Sequence, residues 1–190
     1  MLKKKYKNKI FGKNIFLEKV KVKDYHFIYY LRRNSKINKF IHKIPRQKKK
    51  QLLYLKSLKK NEIYFLIKII KNNKRIGTIS ITDIDCKKKS AIIGRWILKK
   101  SYLVAFESFF LALKYSFINL KLNKVYCNVE NKNVKAIAFQ KSIRSKKINI
   151  KKNITILNKQ KYKVTKFEIN KKIFVTIKKE KGYLLSNNLL

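Results

Sequence analysis

Most of the chain alternates apolar and polar positions over short stretches, but one long run does not. Tyr102–Leu120 (YLVAFESFFLALKYSFINL) is apolar throughout except for a few polar residues, with only Glu107 and Lys114 charged and no Gly or Pro. It is too long for a strand and predicts a helix. Before it, Ser90–Ile97 (SAIIGRWI) is short and rich in Ile and Trp, which predicts a strand. After it, Lys124–Glu130 alternates Val125, Cys127 and Val129 against Tyr126, Asn128 and Glu130, the period of a strand with one buried face. Asn133 is placed to N-cap a helix over Val134–Lys141. The centre of the chain therefore reads strand, loop, helix, strand, helix.

The flanking pattern adds a strand over Asn14–Val22, a helix over Asp24–Arg33 capped by Asp24, and a short second helix over Asn34–Lys43. Pro45 marks a break, and Gln47–Lys60 predicts a helix with Leu52, Leu55 and Leu58 on one face. Glu62–Ile70 and Arg75–Asp83 form an antiparallel hairpin across Asn72-Asn73. Gly77 inside the second strand signals a bulge or a close backbone approach. Asp85–Ser90 is a polar turn into the strand over Ala91–Ile97. Ile148–Leu157, Lys161–Ile169 and Lys172–Lys178 read as strands, the last two joined by a turn at Asn170-Lys171. Residues 1–13 read as a basic tail and 181–190 as a second one, leaving a single domain over 14–180 with no internal repeat and no linker.

With 190 residues and 45% apolar content, the chain is long enough for one domain with a real core. Its net charge of +42 is unusual and comes mainly from Lys. Lys, Asn and Ile are enriched together while Gly and Pro are scarce, the signature of drift in an AT-rich genome. The competing reading is an anionic partner such as RNA, the ribosome or a phosphate-bearing substrate. Bidentate phosphate or base reading favours Arg, which is scarce here, and no RNA-binding motif stands out. Phe109, Phe110 and Phe117 lie in apolar runs and read as core. The charge alone predicts non-specific, salt-sensitive affinity for nucleic acids.

Cys86 and Cys127 are too few and too far apart for a disulfide framework or a metal knuckle, and Cys127 reads as a small core residue. His26 and His42 have no carboxylate cluster beside them, so no metal is expected. The N-terminus lacks the apolar stretch of a secretory signal. Glu107 and Lys114 would each cost about 2.5–3.5 kcal/mol at the centre of a membrane span, so Tyr102–Leu120 is a core helix and the cytoplasm is the expected location.

The first free N–H groups of that helix fall around Ser101–Val104, with Lys99 and Lys100 just before them. A helix start of this kind suits a phosphate, although two lysines in so basic a chain carry little weight alone. Here the sequence resembles the GNAT (GCN5-related) N-acetyltransferase superfamily over about residues 14–148. The matching stretches are LRRNSKINKFI, IYFLIKIIKNNKRIGTISITDID, AIIGRWI, LKKSYLVAFES, KVYCNVE and Asn133-x-x-Ala136-Ile137-x-x-Gln140. The resemblance implies an α/β (α+β) fold: a mixed, mostly antiparallel central sheet flanked by helices, with a splayed parallel strand pair at its centre. It implies acetyl transfer from acetyl-CoA, as co-substrate, to a primary amine, with no metal. Cofactor contacts would come from Ile97, Leu98, Lys99, Lys100, Ser101, Tyr102, Leu103, Val104 and Asn133, and residues 24–43 would line the acceptor side.

The sequence departs from the family pattern in three places. The pyrophosphate loop contains no glycine, as in the branch of the superfamily that GRWI and AFES most resemble. The position of the family's proton-relaying Glu holds Ile92. The position of its acidic Tyr holds Gln140, and the Gly that follows is Arg144. Asp83, Asp85 and Tyr102 are the remaining candidates to handle protons, each with an ordinary structural reading as well. The acceptor is either a small amine, including a nucleotide-linked amino sugar, or a protein N-terminal amine. Two further readings stand beside this one: a GNAT fold that binds acyl-CoA or a partner without turnover, and a basic RNA- or ribosome-binding protein. The sequence leaves the oligomeric state open.

Overall fold

Nine strands carry the fold among the described residues. The computed structural model describes residues 8–34, 37, 40, 44, 46–99, 102–148, 154–157 and 160–182. The strands are β1 (Lys9–Phe11), β2 (Ile15–Lys19), β3 (Ile63–Ile69), β4 (Arg75–Asp85), β5 (Ser90–Leu98), β6 (Lys124–Glu130), β7 (Lys146–Ile148), β8 (Ile154–Leu157) and β9 (Gln160–Asn170). The sheet runs β1-β2-β3-β4-β5-β6-β9-β7, with β8 pairing along β9. All neighbours are antiparallel except β5 and β6. The helices are α1 (Tyr25–Arg33), α2 (Lys48–Lys56), α3 (Tyr102–Lys114), α4 (Val134–Ser142) and α5 (Lys171–Lys181). No helix among the described residues is long and apolar enough to cross a membrane.

β3 shows why the sheet is covered on both sides. Ile63, Phe65 and Ile67 join the main core, while Tyr64 and Leu66 on the opposite face pack with Ile28 and Leu55 of α1 and α2. The main core gathers around α3, whose Phe106, Phe109, Leu111, Ala112 and Leu113 are all nearly inaccessible. α3 ends in a π-helical turn, Tyr115–Asn119, in which the Leu120 N–H donates to the Tyr115 carbonyl. The Ser116 hydroxyl donates back to the Ala112 carbonyl just before it, a bond that loosens a helix locally.

Glu107 sits in the middle of α3, 1% exposed, and among the described residues no cation pairs with its carboxylate. Oε1 accepts the backbone N–H groups of Lys13 at 2.5 Å and Asn14 at 2.9 Å, while Oε2 accepts the Asn14 side-chain amide at 3.1 Å. The turn between β1 and β2 thus wraps around a charge delivered by α3. Gly12 is required there, because a Cβ would fall 2.2 Å from Oε1.

Several sequence expectations need correction. Lys9–Phe11 is a strand rather than part of a tail; Ile10 packs on the core and the Glu107 turn holds the hairpin. Lys172–Lys178 is helical, not a strand. Its apolar residues Ile173, Phe174 and Ile177 follow helical spacing, the Asn170 side chain caps the Ile173 N–H at 2.9 Å, and Phe174 stacks on Phe110 and packs at a tilt against Phe117. Asn170 is therefore a helix cap and not a hairpin turn. The helix expected over Gln47–Lys60 is shorter, Lys48–Lys56, and buries Gln51 and Leu55. The single strand expected over Ile148–Leu157 is two segments, β7 and β8, that both pair with β9. Asp24 precedes α1 from a 3₁₀ turn (Val22–Asp24), and its carboxylate accepts the Lys21 N–H at 2.8 Å instead of capping α1. Pro45, most of Asn34–Lys43, 1–7 and 183–190 lie outside the described residues.

Replacing Glu107 should be among the most damaging single changes. Glu107→Ala leaves several buried donors without an acceptor, each costing about 1–3 kcal/mol. Urea unfolding should show a loss of at least about 3 kcal/mol, whereas Glu180→Ala, on the exposed pair with Arg144, should cost about 1 kcal/mol or less.

Candidate active site

β5 and β6 run parallel only for three residue pairs, Ser90–Lys124, Ala91–Val125 and Ile92–Tyr126. Beyond Ile92 the two strands are no longer paired, although β5 continues to Leu98 and β6 to Glu130. The cause lies in β5. Between Thr78–Ile97 and Ser80–Gly94 the register against β4 slips, placing an extra residue on β5, and Arg95 there adopts φ of 47°. This is a β-bulge, which bends and twists its strand. Hydroxyls of β4 tie the bulge down: Ser80 donates to the Gly94 carbonyl and Thr78 to the Arg95 carbonyl, each at 3.0 Å.

The side chains at the bulge are pinned on opposite faces. Arg95 donates to Glu62 at 3.0 Å and lies over the rings of Tyr54 and Tyr64. Burial pushes the Tyr54 hydroxyl up to about 12, with Arg95 pulling the other way. Trp96 turns to the main core, donates its indole N–H to the Ser108 hydroxyl at 3.1 Å and packs between Phe109 and Phe139. Between the parted strands lies a cavity of about 190 Å³. Its walls are Ile93–Trp96 of β5, Cys127–Glu130 of β6, Phe109 of α3, Asn133, Ala136 and Gln140 of α4 and its cap, Arg32 of α1, and Phe40.

The sequence of the acetyltransferase (GNAT) domain family matches residues 14–144. The chain belongs to the GNAT acetyltransferase family. No curated protein matches it in sequence. Solved structures do match its fold. FdhC, a nucleotide-linked sugar GNAT, superposes with a TM-score of 0.78 at 24% identity, covering 93% of this chain and 98% of that one. A spermidine N-acetyltransferase, SpeG, from Vibrio cholerae gives a TM-score of 0.71 at 20% identity over 85% and 96% of the two chains. A GCN5-related N-acetyltransferase from Brucella melitensis gives 0.80 at 14% identity over 95% and 87%. The splayed parallel pair that the GNAT resemblance led one to expect is present.

Within this GNAT fold the residues expected at the cofactor fall into three groups. Ile97 is buried and Leu98 packs on the core, so their side chains are committed to the fold. The Lys99 N–H is committed to the Ile76 carbonyl at 2.9 Å, and its ammonium lies over the Phe27 ring at 5.6 Å. Lys99 thus extends the β4–β5 ladder instead of opening a phosphate loop. Lys100 and Ser101 lie outside the described residues, as does the side chain of Tyr102. Tyr102, Leu103 and Val104 form the first turn of α3, whose N–H groups have no intrahelical acceptor. Asn133 caps α4, its Oδ1 accepting the Ala136 N–H at 3.1 Å, and lines the cavity.

Asp83 and Asp85 do not line the cavity: Asp83 is exposed at a second bulge, and Asp85 accepts the Lys88 N–H in the turn into β5. Ile92 makes the last parallel pair and carries no titratable group. Arg32, Trp96, Asn128 and Glu130 were missed as wall residues. The alternation of KVYCNVE and the adjacency of Trp96 to the bulge were the available signals, but a bulge reverses which neighbours share a face, and this one was not read from Gly94-Arg95.

Cys127 gives a simple test of the wall. Burial pushes its thiol up to about 12, with Gln140 opposing, while Cys86 is exposed. A thiol reagent at mild alkaline pH should label one cysteine in the folded protein and both in denaturant. The raised value favours the folded state fully below the ordinary thiol range of about 8.5. That contribution is lost as pH climbs from there toward 12.

Proposed function

We propose that the protein transfers acetyl from acetyl-CoA to the primary amine of a small, anionic acceptor. The opening between β5 and β6 carries this reading. A pantetheine arm is a chain of amides, and the strand edges that face the slot beyond Ile92 are not paired with each other. They fit such a ligand by the same logic that pairs strands. The N-terminal turn of α3, with Leu103 and Val104, stands beyond the end of β5 and offers N–H groups and a favourable dipole to the pyrophosphate. Ile97 and Leu98 serve through their backbone, Asn133 guards the far wall, and Lys100, Ser101 and Tyr102 remain cofactor contacts on the strength of the family resemblance alone.

The chemistry asked of the protein is mainly placement. A thioester is already reactive, and holding an amine against it can supply about 7–11 kcal/mol of the barrier. Acetyl-CoA supplies the acyl group; the chain's residues orient it and shield it.

The acceptor follows from charge. Arg32 is buried beside the slot, and among the described residues that line it Glu130 is the one carboxylate, in a chain of net charge +42. A polycation would meet repulsion here, and an amine that carries phosphate would be steered in. FdhC, described as a nucleotide-linked sugar GNAT, has the acceptor chemistry that fits this wall better than the spermidine of SpeG.

Calorimetry in moderate salt should show saturable acetyl-CoA binding that adenosine 3′,5′-bisphosphate and RNA do not reproduce. Gly94 lines the slot, and a Cβ there would meet nothing within 4 Å. Gly94→Phe should therefore weaken acetyl-CoA binding at least about tenfold, or about 1.4 kcal/mol, and leave the melting temperature nearly unchanged. An amine panel should then give turnover with nucleotide-linked amino sugars and little with spermidine. Binding no stronger than that of any polyanion would reject the reading, and binding without turnover of any amine would leave a GNAT fold that only holds acyl-CoA.

A further inference from the structure

Gln140 is a buried amide, 3% exposed, in the wall of the slot. It belongs to α4, and its Oε1 accepts the Ser145 hydroxyl at 2.7 Å. The Ser145 N–H also donates to the Gln140 carbonyl at 3.0 Å, so Ser145 is held over the end of the helix by two bonds. This fixes the amide. With Oε1 committed to Ser145, the Nε2 hydrogens are the end of the group left for other partners. Cys127 of β6 lines the same slot, and Gln140 opposes the burial that raises its thiol. Its neutral thiol is a weak acceptor and occupies at most one of the two N–H groups. A buried donor beside so poor an acceptor is costly at rest, and it gains when a better acceptor enters.

We infer that Gln140 is a catalytic hydrogen-bond donor to the sulfur that leaves as coenzyme A, with Ser145 as its positioning residue. The inference rests on the acetyl-transfer reading. The amine nitrogen attacks the thioester carbonyl carbon, an N–C bond forms and the C–S bond breaks. The bonding electron pair goes to sulfur, which leaves as a thiolate, and the ammonium proton passes to water at the mouth of the slot. Gln140 moves no proton. It lends an N–H to a charge that develops only as the bond breaks, which is where a preorganised dipole accelerates a reaction. A thiolate is a far weaker base than an alkoxide or an amide anion, so it can leave without an acid if the charge is held. The amide at this position therefore changes how the leaving group is served.

The test is binding rather than turnover alone. Coenzyme A and its analogue with the thiol replaced by hydrogen are titrated into the protein from about pH 7 to about pH 10.5, a span that crosses the ionisation of an alkyl thiol, which lies above that of a cysteine. In the wild type, affinity for coenzyme A relative to the analogue should rise about tenfold with pH, the effect of lowering the bound thiol's pKa by one unit. Gln140→Leu, close in size, should abolish the rise, and Ser145→Ala should reduce it because the amide can then turn over. Gln140→Glu should invert it by setting a carboxylate against the thiolate. An unchanged rise in Gln140→Leu, or no rise in the wild type, overturns the assignment while acetyl transfer stands. No binding of either compound overturns both. Should Gln140→Leu fail to fold, an unchanged rise in Ser145→Ala overturns the positioning and with it the proposal.

Discussion

A single buried carboxylate sets the frame of this protein. Glu107 rises from the middle of α3 and takes up backbone N–H groups from the turn between the first two strands. Buried charge without such donors would be prohibitive, and turn amides facing a core without an acceptor would be nearly as bad. Neither half is stable alone, so the helix and the sheet edge fix each other. The start of α3 lies less than two turns from Glu107, and this latch therefore also sets where the helix meets the end of β5. A contact remote from the slot in sequence thus governs its geometry.

The slot itself arises from a conflict resolved in β5. One extra residue at Arg95 cannot be absorbed by a flat ladder, so the strand turns away from β6. The carbonyls and side chains at the bulge itself each have a partner. Two β4 hydroxyls take the carbonyls, Glu62 takes the guanidinium and Ser108 takes the indole. The opening is therefore a rigid feature of the scaffold and does not require a ligand to hold it apart.

Much of this was legible in the chain, and the failures have physical causes. The α3 run and the alternation of KVYCNVE announced their elements because each buries one continuous face. The hairpin over β3 and β4 was visible for the same reason, and Gly77 does mark a close approach, since a Cβ there would sit 2.3 Å from the Ile97 carbonyl. Lys172–Lys178 misled because IFVTI satisfies strand alternation as well as helical spacing, and only the packing of Phe174 against two distant phenylalanines selects the helix. β1 was hidden in a lysine-rich stretch whose partner for the turn lies in α3. The slot walls were the least visible part, because a bulge changes which residues share a face and no local pattern announces it.

The carboxylates of this chain have a consequence for its environment. It holds nine acidic residues against 51 Lys and Arg, and most of the nine hold a fixed structural post. Glu18 binds Lys68, Asp24 and Glu62 bind arginines, Asp85 holds a turn, Glu107 holds the first hairpin, and Glu180 pairs with Arg144. The chain's own carboxylates leave a net charge of +42 unmatched. Counterions must therefore complete the folded state, so that the anions of the surrounding solution act as a diffuse structural component of the protein.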